Sequence, residues 1–464
     1  VRHRIGALNV ARRCWKSGPV VSTTVRLMLD PKFVREHPDA VKDAARIKRV
    51  GSAELVDQWL AADERRRVAQ ASADKLKADQ RAAGEQMKQK DLSADERTQI
   101  QASLRQLKEN VQALEKQQTE AEAESNVLML QLPALPDPSW PQGKDDKDNV
   151  LVREWADPSR PPLPLADGRK DHVALGTALG IIDFDRGVKL AGSRSYVLRG
   201  QGAQLYWAVL RFAQDVLVQR GYEPFVVPVL VTEQCMIGTG YFPAGRDQAY
   251  ITQDNTVLVG TSEVPLASFH GDEILDEKDL PKKFSAMSTC FRREAGAAGK
   301  DTAGLYRVHQ FDKVEQVVVH KADDAEHIAL HEEIIQNAET ILQALKLPYR
   351  VVQNCTGDMG QGKWRMYDIE TWMPSRDGGK GAYGETHSGS ALRDFQARRL
   401  NLRYRTAGTG GAKGGTQFCY TLNNTAIACP RVLISILETY QNPDGNVTIP
   451  DVLRPFMGGR ERMG

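Results

Sequence analysis

Cysteine is scarce in this 464-residue chain, with six in all and no C-x-x-C pair among them. Cys14, Cys235, Cys290, Cys355, Cys419 and Cys429 are scattered along the whole length. That usage excludes a disulfide scaffold and a structural zinc site, and it fits reduced thiols. No run approaches the ~20 apolar residues that span a bilayer, so no membrane partner is expected. Net charge is nearly absent as well, since Lys plus Arg number 62 and Asp plus Glu 60. A globally polycationic coat is thereby excluded, and any nucleic acid has to be met by local patches. The balance is uneven. Acids are missing from residues 1–27, where Arg2, Arg4, Arg12, Arg13, Lys16 and Arg26 give a local charge of +6, leaving −4 on the remainder. Residues 1–27 are read as a disordered or targeting-like basic extension.

Familiar nucleotide and metal signatures are missing too. Gly408-Thr409-Gly410-Gly411-Ala412-Lys413-Gly414-Gly415-Thr416 has the glycines of a phosphate cradle. It lacks the Gly-Lys-Ser/Thr entry into a helix, and so reads as a surface loop. No G-x-G-x-x-G follows a strand, which removes a dinucleotide fold. His327 and His331 stand at i, i+4, a metal-ligand spacing, but without H-E-x-x-H, and a solvated helix face is the expectation. No internal repeat is present.

Proline is absent from Leu55 to Leu132, where Ala, Gln, Glu, Lys and Arg dominate. Ile100, Leu107, Leu114, Ala121 and Leu128 recur every seven residues, with Leu104, Val111, Gln118, Ser125 and Leu132 as a companion row. Ala62, Ala69, Leu76 and Ala83, with Trp59, Ala73 and Met87, form a weaker seam diluted by Arg66 and Gln80. A 3.5-residue apolar repeat keeps one seam facing a partner helix. Between the halves, Ser93 with Glu96 three residues on is a capping box, which starts a new helix. Two helices folding back as an antiparallel hairpin are expected, forming an arm of about 50 Å at 1.5 Å per residue. Prolines then cluster at Pro133, Pro136, Pro138, Pro141, Pro158, Pro161, Pro162 and Pro164. That density sets an extended linker, expected to insulate the arm from the C-terminal remainder of the chain.

Beyond residue 170 short apolar stretches mark strands at Pro224–Val231, Thr256–Gly260, Lys313–Val319, Arg365–Trp372 and Phe418–Leu422, an α+β pattern on a largely antiparallel sheet. The chemistry concentrates in Cys290-Phe291-Arg292-Arg293-Glu294 and in the run from Gly304 to Glu315. Period-2 alternation puts Arg292 and Glu294 on one face of a strand, and the returning strand adds Phe311, Lys313 and Glu315. Cations, acids and an aromatic on one surface suit an anionic, aromatic ligand such as a nucleoside triphosphate. A surface salt-bridged hairpin would use the same residues.

Thr261-Ser262-Glu263, Gly384-Glu385-Thr386-His387-Ser388 and Asn423-Asn424-Thr425-Ala426-Ile427-Ala428-Cys429-Pro430-Arg431 follow in order around Phe-Arg-x-Glu. The set resembles the class II aminoacyl-tRNA synthetases, and more closely the seryl-tRNA synthetases, over residues 28–464. The Arg307–Glu315 run, the Glu-Thr-His-Ser segment and the long hairpin are the specific marks. The resemblance implies a tRNA-binding domain with a coiled-coil hairpin at 28–135, a Pro-rich linker at 136–170 and a catalytic domain at 171–464. The implied fold is α+β, the helical arm joined to a mainly antiparallel sheet flanked by helices.

The activity so implied is ATP-dependent joining of L-serine to tRNA(Ser) through a seryl-adenylate, with tRNA(Sec) as a second candidate acceptor. Arg292, Glu294 and Arg431 are the implied catalytic set. Arg292 bridges carboxylate and α-phosphate, Glu294 takes the adenine amino group, Val308 lines the adenine slot and Phe311 stacks on the ring. Arg431 pairs with the γ-phosphate, and Arg293, Thr386, His387 and Ser388 complete the ATP site. Glu385 holds a Mg²⁺ bridging phosphates, and no zinc is implied. Thr261, Ser262 and Glu263 serve the serine amino group, while Glu315, Thr425 and Asn423 serve its hydroxyl. Fixed guanidinium groups and a metal stabilise charge developing on phosphate oxygens without a general base. Pro228, in Gly221–Pro228, matches the first class II motif and implies a homodimer. The arm would read RNA shape and backbone. A cytoplasmic setting is expected, with the mitochondrial matrix as the alternative if residues 1–27 act as a transit segment. A non-translational relative is disfavoured because the arm is kept, and a decayed one because Arg292, Glu294, Glu315, Glu385 and Arg431 all remain.

Overall fold

The computed structural model describes residues 29–166, 168–296, 304–407 and 414–464. The expectations for residues 1–27, for Cys14 and for most of the glycine-rich 408–416 stretch lie outside the described residues. Cys235, Cys290, Cys355, Cys419 and Cys429 are free thiols.

The chain enters through α1 (Pro31–Glu36) and α2 (Pro38–Lys48), each opened by a proline in its first turn, where the missing N–H costs nothing. The hairpin follows as α3 (Ala53–Gln86) and α4 (Ala94–Met129). Ser93 caps α4 as expected, its Oγ accepting from Glu96 N while the Glu96 carboxylate accepts from Ser93 N at 2.8 Å. At 1.5 Å per residue each helix spans about 50 Å. The heptad positions are the ones covered: Trp59, Ala62, Ala69, Ala73, Val111, Ala121 and Ser125 are buried. Leu104, Leu107 and Leu114 of α4 are only half-buried, because two helices alone cannot enclose a large side chain. At the base a small core of Val34, Val41, Val56, Trp59, Met129 and Leu132 joins α1 and α2 to the arm.

The rest of the chain is built on an eight-stranded sheet. Its strands are β1 (Val150–Trp155), β2 (Glu223–Phe225), β3 (Lys282–Phe291), β4 (Gln310–His320), β5 (Tyr349–Gln353), β6 (Arg365–Met373), β7 (Ala382–Arg393) and β8 (Tyr420–Cys429). The spatial order is β1-β5-β6-β7-β8-β4-β3-β2, antiparallel throughout except for the β2–β3 pair. One face is covered by α5 (Gln201–Gln219), α6 (Asp324–Ala344) and α8 (Arg431–Thr439). On the opposite face α7 (Phe395–Leu400) follows β7 directly, its Ala397 and Leu400 packing with Val317 and Val319. Val209, Ala213, Ile334, Ile335, Ile341, Leu342, Val432 and Ile436 pack on Val314, Val318, Leu422 and Ile427 of the sheet. Each such aliphatic side chain contributes roughly 1.5–3 kcal/mol by leaving water.

Several expectations need correction. Pro224–Val231 is not one strand. It divides into β2 and Leu230–Thr232, and the latter pairs with Thr256–Leu258 in a separate small sheet. β1 lies inside the stretch expected as a linker, where its alternation is obscured by flanking prolines and charges. The prolines do not insulate the arm either: Ala134 N donates to Gln361 O, and Asp137 N to Trp364 O. His327 and His331 are buried rather than solvated. His327 contacts His320 at 2.7 Å, and His331 Nε2 donates to Gly389 O at 3.2 Å. Burial lowers His320 and His331 to about 4, so both stay neutral.

Candidate active site

The face of the sheet opposite α6 carries a cleft of about 960 Å³, counted to its open mouth. Strand alternation fills it. On β4, Phe311, Lys313 and Glu315 face the cleft while Val314 and Val318 face the core. On β7, Thr386, Ser388 and Ser390 face the cleft, and on β8, Asn423 and Thr425 do so. Arg292, Glu294 and Val308 enter from the ends of β3 and β4, and Arg431 from the first turn of α8.

Arg292 and Glu294 reach the cleft by a different route from simple alternation. β3 ends at Phe291, and Glu294 has a left-handed backbone with φ 52°. Its carboxylate is then held by Arg307 at 2.6 Å. The Arg292 guanidinium lies 5.2 Å from the centroid of the Phe311 ring and donates to Gly260 O at 3.4 Å. Arg431 donates to Tyr306 O and to the backbone oxygen of Glu385, each at 2.9 Å, and stands 3.5 Å from the Glu385 carboxylate.

Glu315 is buried and pairs with Lys313 at 2.6 Å, while Thr425 Oγ1 donates to the same carboxylate oxygen at 3.4 Å. Burial pushes the Glu315 carboxyl above the usual carboxylate range, and the Lys313 ammonium pulls it back. Next to it, Asn423 Nδ2 is buried with no hydrogen-bond partner from the protein, a donor left for a bound group. Glu263 is fixed from two sides, accepting from Tyr241 Oη and from Gln396 Nε2, each at 2.7 Å. On β6, opposite Ser388, burial and the neighbouring Glu385 charge push the Asp368 carboxyl above the usual carboxylate range.

Four expected site residues do not line the cleft. Thr261 and Ser262 are fully buried beneath Glu263; Thr261 Oγ1 accepts from Glu263 N and Ser262 Oγ donates to Ala286 O. Arg293 turns away to Asp247 O at 3.3 Å. His387 points into the opposite face, as alternation between Thr386 and Ser388 requires. Its Nδ1 accepts from Thr386 Oγ1 at 2.8 Å and its Nε2 donates to Ala426 O at 3.1 Å. Burial lowers it to about 3, so it is a neutral hydrogen-bonding wedge. Thr386 and Ala426 are the two extra residues of β-bulges, one where β7 pairs with β6 and one where β8 pairs with β4. The first bulge lets Glu385 and Thr386, adjacent in sequence, both reach the cleft.

The residues that sequence reasoning missed include Tyr241, Lys363 and Arg307 in the lining. Arg307 begins the Arg-Val-His-Gln-Phe run, so its signal was at hand. Tyr241 and Lys363 come from loops with no local pattern.

For a divalent cation, the Glu385 carboxylate with Thr386 and Ser388 hydroxyls offers hard oxygen donors beside Arg431. That set fits Mg²⁺ arriving with a polyphosphate, which supplies most of its remaining ligands, and does not make a self-sufficient cage.

Comparison with known proteins gives two family matches: the seryl-tRNA synthetase N-terminal domain over residues 28–136, and the tRNA synthetase class II core domain (G, H, P, S and T) over residues 249–440. A serine–tRNA ligase of Deinococcus radiodurans is 45% identical over 439 residues, 94% of this chain and 99% of that protein. Among solved structures, seryl-tRNA synthetase from Pyrococcus horikoshii complexed with ATP superposes with a TM-score of 0.84 at 36% identity, covering 94% of this chain and 99% of the other. The cytoplasmic serine–tRNA ligase of Naegleria fowleri in complex with AMP gives 0.81 at 31% identity, covering 95% and 98%.

Proposed function

We propose that this chain, which belongs to the seryl-tRNA synthetase family, joins L-serine to tRNA(Ser) with ATP, through a seryl-adenylate and with release of AMP and diphosphate. The observation that carries the reading is one cleft holding two unlike halves. Arg292, Phe311 and Arg431 suit a nucleoside triphosphate, and the buried Glu315 with Thr425 and Asn423 suits a small hydroxyl.

In the first step a serine carboxylate oxygen attacks the α-phosphorus and diphosphate leaves. Arg292 bridges the two reacting groups and stabilises the charge that develops on the phosphoryl oxygens. Phe311 stacks under the adenine, Val308 lines its slot and Glu294, oriented by Arg307, accepts from its amino group. Arg431 pairs with the γ-phosphate. Glu263 accepts from the serine ammonium. The Thr261 and Ser262 positions act through the backbone that carries Glu263, and His387 acts by fixing β7 and β8. The serine hydroxyl lies between Glu315 and Thr425, with Asn423 adjacent. Alanine would leave these buried polar groups without partners, a difference worth on the order of 10⁴-fold in sites of this kind. Glu385 with Ser388 would hold Mg²⁺, which would neutralise phosphate charge. In the second step the terminal ribose hydroxyl of the tRNA attacks the activated carbonyl and AMP leaves.

The acceptor is tRNA(Ser), bound by the arm through its shape and backbone, with tRNA(Sec) as a second candidate. A homodimer formed around Pro228 is supported by the exposed Val226, Leu230 and Met287 beside the short edge strand β2. Among the described residues no helix is long and apolar enough to cross a membrane. The reaction is placed in the cytoplasm, or in the mitochondrial matrix if residues 1–27 act as a transit segment. The test is amino-acid-dependent ATP–pyrophosphate exchange across all twenty amino acids. Exchange confined to serine is expected, and exchange spread over other amino acids overturns the assignment.

A further inference from the structure

The last turn of the arm does not end in solvent. The Leu130 carbonyl, just past α4, accepts from Gln361 Nε2 at 2.9 Å and from Arg399 Nη2 at 3.0 Å. Gln361 Nε2 also donates to Leu132 O at 3.1 Å. From below, Lys48 of α2 is fully buried and donates to Gln361 O at 3.0 Å and Lys363 O at 2.5 Å. The segment cannot slide. A Cβ at Gly362 would lie 2.5 Å from the Phe395 ring, so backbone and ring are already in contact.

Arg399 has a second set of partners. Its Nη1 donates to Ile237 O at 2.7 Å and to Phe242 O at 3.1 Å, on either side of Tyr241. Burial lowers its guanidinium to about 9, which still leaves it charged at neutral pH. Three residues earlier on the same short helix, α7, Gln396 donates to Glu263, the acceptor proposed for the serine ammonium. Residues at i and i+3 share a helix face. One rigid turn of helix therefore has the arm root on one residue and the serine pocket on another, and Arg399 separately ties the Tyr241 segment to the same carbonyl. Tyr241 is the second donor to Glu263. Both supports of Glu263 thus lead back to Leu130.

We infer that Arg399 is a positioning residue that couples the root of the tRNA-binding arm to the serine subsite, so that RNA seated on the arm changes the affinity for serine. The inference rests on the proposed function and adds a coupling to it. By linkage, serine must in turn change the affinity for the RNA by the same factor.

The experiment uses the full chain and a tRNA(Ser) lacking its 3′-terminal adenosine, which occupies the arm but cannot accept serine. Serine dissociation constants are measured by calorimetry with and without this RNA. In the wild-type protein the RNA should tighten serine binding by about fivefold, the lower end of ordinary coupling factors. In Arg399→Lys, which keeps the charge and loses the fork, the ratio should fall to about one. Because each ratio is internal to one protein, a lower folded fraction cancels. Should Arg399→Lys not fold, Gln361→Ala, at a half-buried residue outside the cleft lining, is expected to reduce the same ratio. A wild-type ratio of one, or the same ratio in wild type and variant, overturns the inference and leaves the function intact. Failure of the wild-type protein to bind serine at all overturns both.

Discussion

Thr425→Val removes one hydroxyl from the cleft at nearly constant volume and keeps the β-branching that suits β8. The effect on the neighbouring ion pair is small. Thr425 Oγ1 is 3.4 Å from Glu315, at the outer limit of a hydrogen bond, while Lys313 holds the same carboxylate at 2.6 Å. The ion pair therefore survives the substitution, and the cost to folding should stay below about 1 kcal/mol. The cost to serine is larger. With the substrate hydroxyl between Thr425 and Glu315, the variant loses one hydrogen bond in a buried, partly charged site, about 1–3 kcal/mol of transition-state binding. At 1.36 kcal/mol per decade this is roughly a 5- to 150-fold fall in kcat/KM for serine. Alanine has no hydroxyl to lose, so its kcat/KM should be unchanged and the serine-over-alanine ratio should fall by the same factor. Pyrophosphate exchange with each amino acid measures both values, and thermal melting checks the fold. An unchanged ratio in a folded variant would falsify the assignment of the hydroxyl subsite to Glu315 and Thr425.

Arg292→Ala should lower serine-dependent exchange by at least about 10²-fold while the oligomeric state by light scattering is unchanged; near-normal exchange would remove Arg292 from the reaction. Glu385→Gln should move the Mg²⁺ concentration for half-maximal exchange upward several-fold with little change in the serine KM, and an unshifted Mg²⁺ curve would place the ion elsewhere. His320, His331 and His387 are held neutral by burial, at about 4, 4 and 3, against about 6.5 for a free imidazole. Below pH 6.5 the unfolded chain takes up protons first, so stability should be full above pH 6.5 and decline as pH falls towards 4. Each group would contribute on the order of 3 kcal/mol, and denaturant melts of His331→Gln should show a shallower decline than wild type.

The arm was legible because its information is local. A heptad and a capping box need no distant partner, and the positions of Trp59, Ala73, Val111 and Ala121 define the seam before any packing is known. The cleft was legible where alternation holds, as for Phe311, Lys313 and Glu315. It failed where the backbone departs from a regular strand. His387 stands in a motif with Glu385 and Ser388, yet the bulge at Thr386 shifts the face on which neighbours fall, and only pairing with β6 reveals it. β1 was hidden because a six-residue edge strand with an exposed face, Val150–Trp155, has little apolar pattern to show. His327 and His331 looked solvated because a helix covered on several sides has no single polar face. The ties of Leu130 to Gln361 and Arg399 join residues more than two hundred positions apart, and no local pattern encodes them.

The two bulges pinned by His387 act on the sheet as a half-period dislocation acts on a grating. On β8, Asn423 and Thr425 face the cleft before the extra residue, and Ala428 faces it afterwards, with the opposite parity. β7 changes phase at the adjoining position, with Glu385 on one side and Thr386, Ser388 and Ser390 on the other. The line between them crosses the cleft at Thr386 and Ala426. Side chains on one side of that line can be exchanged without altering the register on the other. Deleting Thr386, by contrast, would remove the phase change and turn Glu385 away from the cleft while leaving every chemical group in the sequence except one hydroxyl.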